Sequence, residues 1–215
     1  MSTIFPRWTN HVPTAVAVAV PVLGIAVVAA VSYWFSPHFT DVGYQPDQPV
    51  AYSHELHAGQ MGMDCRYCHN TVEEAAYAAV PPTATCLNCH LYVKTESEAL
   101  AMVRESGETG ESIPWVKIHQ LPDYAYFNHS VHLSAGVGCV SCHGRIDQMV
   151  EVAMYEPLSM GWCLECHRNP EPHLRPISEI TNMAYDPQEA GYDPTQDPNR
   201  TRELAPPMHC GGCHR

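Results

Sequence analysis

F-N-H-S-V-H-L-S-A-G-V-G-C-V-S-C-H, from Phe127 to His143, ends in Cys139-x-x-Cys142-His143. A C-x-x-C-H run is the attachment signature of a c-type haem: two thiols bond to the porphyrin and the adjacent His becomes the proximal iron ligand. Upstream lie His129 and His132, three residues apart. On a helix that spacing puts them on one side but about 60° apart around the axis. The two rings cannot meet on one iron, but they can reach two irons on either side. One short stretch would attach one haem and help to ligate two.

The pattern recurs. Cys65-x-x-Cys68-His69 follows His54 and His57, and the bare motif stands at Cys86-x-x-Cys89-His90, Cys163-x-x-Cys166-His167 and Cys210-x-x-Cys213-His214. These five motifs use all 10 cysteines. A disulfide framework or zinc sites could also be built from C-x-x-C pairs. Neither explains a His directly after the second Cys every time. The expected cofactor set is five covalently bound haem c, with His69, His90, His143, His167 and His214 as proximal ligands.

The sixth position of each iron decides the chemistry. A second strong ligand makes an electron carrier, whereas an open position can bind a substrate. Nine of the 14 histidines lie outside the motifs. His11 and His38 flank an apolar segment and read as interfacial. The other seven, His54, His57, His119, His129, His132, His173 and His209, exceed the demand of five irons, so closed bis-His centres are expected. Met160 and Met208 are reserve ligands for a His/Met centre. No Gly-rich phosphate loop, G-x-S-x-G or spare Cys is present, so no other catalytic constellation is expected.

From Val12 to Phe35 no residue is charged. A helix of that length spans a bilayer core. Pro13 suits its first turn, Pro21 would kink it, and Tyr33, Trp34 and Phe35 fall where an interfacial aromatic belt belongs. A cleavable signal peptide, with Val28-Ala29-Ala30 as its site, is the rival; the apolar run is longer than a usual signal core. The expected organisation is a cytoplasmic head (1–11), a transmembrane anchor (12–35), a linker (36–51) and a haem domain (52–215). Within that domain, 52–93 and 124–167 form an internal repeat, and 210–214 carries the fifth haem. The expected fold is a multihaem cytochrome c: one transmembrane helix, then a mostly irregular domain of short α-helices packed around haem. Thr95-x-x-Glu98 reads as a capping box for a helix stopping at Gly107, with Leu100 and Val103 inward. Residues 168–209, rich in Pro, Asp, Asn and Glu, read as a long irregular strap ordered only by packing on haem or on a partner. The Asn128-His129-Ser130 sequon reads as accidental.

The net charge is −12, and Arg7 is the only base before Asp41, so the remainder carries −13. An acidic surface argues against nucleic acid as a partner. Arg7 on one side of the span, with Asp41 and Asp47 on the other, orients the N-terminus inward. Haem attachment to C-x-x-C-H occurs outside the bacterial cytoplasmic membrane, which agrees. The expected localisation is therefore the inner membrane, single-pass, with the haem domain on the periplasmic side.

The Tyr52-Ser-His-x-x-His and Phe127-Asn-His-x-x-His units resemble class III multihaem cytochromes of the c3/c7 type. The whole chain resembles the pentahaem cytochrome c subunit of bacterial alternative complex III. That resemblance is carried by the single anchor, the five motifs, Trp115-x-x-x-His119-x-Leu121-Pro122-Asp123, Ser159-Met-Gly-Trp-Cys163 and Cys166-His-Arg-Asn-Pro170. The likeness to the hexahaem subunit of quinone reductase complexes is less complete, because only five motifs are present. The resemblance implies a subunit of a quinol-oxidising respiratory complex, not catalytic alone. Implied partners are the membrane, an iron–sulfur subunit, polytopic quinol-site subunits, and a monohaem cytochrome c or terminal oxidase as acceptor. By analogy with class III cytochromes, His54 serves the Cys65 haem and His129 the Cys139 haem, while His57 and His132 cross to neighbours. His119, within a matched motif, is expected as the fifth distal ligand ahead of His173 and His209. The competing functions are a multihaem reductase with one open haem and a stand-alone quinol dehydrogenase anchor.

Overall fold

Continuous helix through the apolar run follows from its Ala, Val and Leu content and from Pro13 in the first turn, where a missing N–H costs nothing. In the computed structural model, which describes residues 4–200 and 204–215, α1 spans Val12–Trp34 after a 3₁₀ turn at Arg7–His11. Pro21 lies inside α1 without ending it. An 18-residue window has mean hydropathy 2.5 and none of it is buried within the molecule, so the helix is long and apolar enough to cross a membrane. The short α2, Pro37–Thr40, follows, and Tyr33 packs against Trp34 and Phe39 at its foot. Residues up to Asp41 form one compact unit and Val42–Arg215 a second.

The second unit consists of short helices joined by long irregular segments. Among the described residues there is no strand beyond isolated bridges, Ala125 to His214 and Val137 to Leu174. A π-helical turn, Glu55–Gln60, follows His54 where an α-turn would be the simpler expectation. The other helices are α3 (Cys65–Cys68), α4 (Thr83–His90), α5 (Ala101–Thr109), α6 (His129–Ser134), α7 (Val140–His143) and α8 (Met160–Arg168). Four of them contain or abut a C-x-x-C-H motif.

Side-chain cores are small. One joins Val50, Val103 and Ile113 to the flanking Leu87, Leu100 and Trp115; the other joins Val72, Leu133 and Ile180. The first is built by α4 against α5, and it corrects the reading of Gly107. The helix runs through that residue and stops at Gly110, which takes φ 78°. Gly107 is instead a contact point, because a Cβ there would press on Leu87 at 2.6 Å. The second core anchors the strap of residues 168–209 through Ile180. Leu174 and Ile180 are each only 1% exposed, the lowest values among the buried side chains. The strap crosses the start of the third motif, where Arg175 N–H donates to Gly136 C=O (2.9 Å) and Cys139 N–H to Ile180 C=O (3.0 Å).

Candidate functional site

Local capping fixes the segments that carry the chemistry. Asp64 accepts from Arg66 N–H (2.8 Å) ahead of α3, Asn128 from Ser130 N–H (3.0 Å) ahead of α6, and Ser159 from Trp162 N–H (3.2 Å) ahead of α8. Each closes an orphan donor of the first turn and so sets where the following Cys or His points. Asn128, whose sequon looked accidental, thus has a structural task. The Arg66 guanidinium beside Asp64 holds that carboxyl down at about 2.

The two repeat units share a brace to which sequence patterning assigns no role. Tyr52 stacks on His57 (centroids 4.4 Å, planes 21° apart) and meets His54 edge-on at 4.8 Å. Phe127 lies over His132 (4.4 Å, 31°) and meets His129 edge-on at 4.7 Å. The signal was available: an aromatic sits two residues before the first His in both units.

Ring hydrogen bonds fix the tautomers. Nδ1 lies against a backbone carbonyl in His57 (Ser53, 2.8 Å), His69 (Ala79, 2.9 Å), His90 (Val93, 3.1 Å), His129 (Ala76, 2.8 Å), His132 (Asn128, 2.7 Å), His167 (Pro207, 2.8 Å) and His214 (Tyr124, 3.0 Å). A carbonyl oxygen can only accept, so Nδ1 carries the proton and Nε2 keeps its lone pair. That is the state of a metal-ligating His held by its outer hydrogen bond. The other three expected ligands are His54, His119 and His143. Each has a buried ring nitrogen with no hydrogen-bond partner among the described residues: Nδ1 of His54 and His143, Nε2 of His119.

Ring separations distinguish the pairs. Two imidazoles facing across one metal ion, each nitrogen about 2 Å from it, have centroids about 6 Å apart. His57 and His90 are 6.3 Å apart, and His132 and His167 are 6.1 Å apart. His119 lies against His143 at 4.4 Å, too close for an ion between those rings as they stand. Burial first, then His69 and His57, lowers His54 to about 4. Burial first, then His119, His129, His69 and His54, lowers His143 to about 3. The first and third motifs therefore share one central group of histidines. At the fifth motif, the ring beside His214 is Tyr124, at 5.8 Å. The reserve candidates His173, His209, Met160 and Met208 are all exposed.

All ten cysteines are free thiols, and no three His, Cys, Asp or Glu side chains among the described residues converge on a point. Thiols of different motifs neighbour one another. Burial raises Cys68, with Cys86 and Cys65 beside it. The neighbouring Cys139 thiol lowers Cys65. Burial, then Cys166 and Cys163, raises Cys142 to about 12, and burial followed by Cys213 raises Cys163. A cleft lined by Ala58, Met63, Cys65, Asp147, Thr181 and Met183 opens beside the first motif. Paired thiols, histidines presenting Nε2, and the orphaned buried Nε2 of His119 together fit covalent haem.

No family model matches the chain. Over 122 residues it is 34% identical to the menaquinone reductase, multihaem cytochrome c subunit, of Nitratidesulfovibrio vulgaris. The match covers 56% of this chain and 56% of that protein, so the chain spans about half the length of the curated relative it matches. The donor set and this likeness agree on the class: a multihaem c-type cytochrome. The particular protein it is similar to is a cytochrome subunit of a menaquinone reductase.

Proposed function

We propose that this chain is a membrane-anchored pentahaem cytochrome c that relays electrons within a quinol-oxidising respiratory complex. The observation that carries the reading is the match between five C-x-x-C-H motifs and ten histidines. Seven of those rings have Nδ1 tied to a carbonyl, and three have an orphaned buried nitrogen. Haem, when bound, supplies a one-electron Fe(III)/Fe(II) couple. The chain's own residues attach it through paired thiols, orient it through rings of fixed tautomer, and restrict water with the Tyr52 and Phe127 braces.

The distal set in this reading is His54, His57, His119, His129 and His132. His57 serves the His90 centre and His132 the His167 centre. The thiol neighbours support a spatial order of second, first, third, fourth and fifth motif. Hydrogen bonds agree. Asn88 Nδ2 donates to Tyr67 OH (3.2 Å) between the second and first motifs, His129 meets Ala76 beside the first, and Tyr126 N–H donates to Cys213 C=O (2.8 Å) at the fifth. The terminal centres of such a wire would be those of His90 and His214.

The likeness to a menaquinone reductase subunit supports quinone-linked chemistry. The finer proposal is alternative complex III, with a periplasmic haem domain, an iron–sulfur subunit, polytopic quinol-site subunits, and a cytochrome or terminal oxidase as acceptor. Purification in mild detergent, followed by mass spectrometry of haem content and co-purifying subunits, tests it. Five haems and quinol-site partners are expected; a haem-free chain overturns the reading.

A further inference from the structure

Among the described residues, Arg175 is the one charged side chain in the buried set, at 3% exposure. Its NH1 donates to Asn182 C=O (3.0 Å) and its Cζ lies 5.5 Å from the Tyr185 ring centre. Its Nε is buried with no partner, and no carboxylate lies within ion-pair reach among the described residues. Glu179 and Asp186 act on it only from farther away. A buried guanidinium lacking a counter-charge is costly unless something anionic completes it. Gly138 leaves the room for it: a Cβ at that position would collide with the guanidinium. The residue after Gly138 is Cys139, the first attachment thiol of the third motif.

We propose that Arg175 is the fixed counter-cation of the haem attached at Cys139 and Cys142, and that it holds this centre's reduction potential up. This rests on the haem reading above. The ligand chemistry is a porphyrin carboxylate or, equally, the net charge of the centre itself. Reduction takes one electron from the neighbouring centre, or from dithionite in an assay, and converts Fe(III) to Fe(II). The centre loses one positive charge, so a cation close by favours the reduced form. Removing the cation, or leaving a carboxylate without it, moves the potential the same way: down. Burial keeps salt from screening the effect. Arg175 is a positioning and tuning residue, since it touches neither iron nor electron donor.

The test is a spectroelectrochemical titration of the full-length, haem-loaded protein in detergent, comparing wild type with Arg175→Met and Arg175→Lys. Arg175→Met should lower one of the five potentials by at least tenfold in the reduction equilibrium, about 59 mV for a one-electron couple. Arg175→Lys should retain most of that difference, because the charge remains. Identical titration curves for wild type and Arg175→Met overturn the proposal, as do equal shifts for Met and Lys, which would mark a packing role. Should Arg175→Met fail to load five haems, Gly138→Ala carries the test. It keeps the charge in the chain but displaces the guanidinium, so a downward shift supports the assignment and an unmoved curve refutes it. Wild-type protein without covalent haem overturns the functional reading itself, a result separable from unchanged potentials in a five-haem protein.

Discussion

His132→Ala probes the link between the two halves of the second repeat. His132 stands 6.1 Å from His167 and only three residues from His129, yet His167 belongs to the fourth motif and not to the nearby third. Its Nδ1 is held on Asn128 C=O at 2.7 Å and its face is covered by Phe127, so the ring has one orientation to offer. Removing it should open the sixth position at a single iron. The low-spin signal should fall by about one fifth, with one carbon-monoxide-binding haem appearing on reduction. Electron paramagnetic resonance on the oxidised protein and difference spectra with carbon monoxide measure both. The partner is then identified in a Cys163→Ala/Cys166→Ala background, which lacks the fourth haem. There, adding His132→Ala should remove no further low-spin signal. A further loss in that background would show that His132 serves another iron and would refute the pairing drawn from ring separation.

His119→Ala should also cost one low-spin haem; an intact set of five bis-His centres would remove His119 from the ligand set. Asp64→Ala should destabilise the haem domain by about 1 kcal/mol in denaturant titrations, the usual value of an N-cap. Because Arg66 depresses the Asp64 carboxyl to about 2, the wild-type advantage should be complete above about pH 4 and disappear as pH falls through 2. The pair is part-exposed, so added salt should shrink that advantage; a pH-dependent difference between variant and wild type that persists undiminished to about pH 1 would contradict it. Deleting residues 1–35 should release a soluble multihaem domain that still reduces and reoxidises but takes no electrons from membrane quinol, as followed by haem spectra with and without quinol. Quinol oxidation by the purified truncated domain would refute the anchor-and-relay arrangement.

The chain by itself determined whatever depends on residues within a turn or two of one another. Cys-x-x-Cys-His is legible because the two thiols and the imidazole act on one porphyrin from adjacent positions. The apolar run from Val12 is legible because a helix needs only length and composition to span a bilayer. The paired histidines were visible too, since three-residue spacing alone separates their directions. Tertiary structure decided the rest. Which distal ring faces which proximal one depends on packing between segments far apart in sequence, so His57 meets His90 and His129 rests on the loop after the first motif. Gly107 looked like a helix stop because glycine favours left-handed caps; only the approach of Leu87 shows that its missing side chain is what matters. Arg175 had no local signature at all. It lies in a Pro-rich strap that composition reads only as irregular, and it is buried where that strap crosses the start of the third motif.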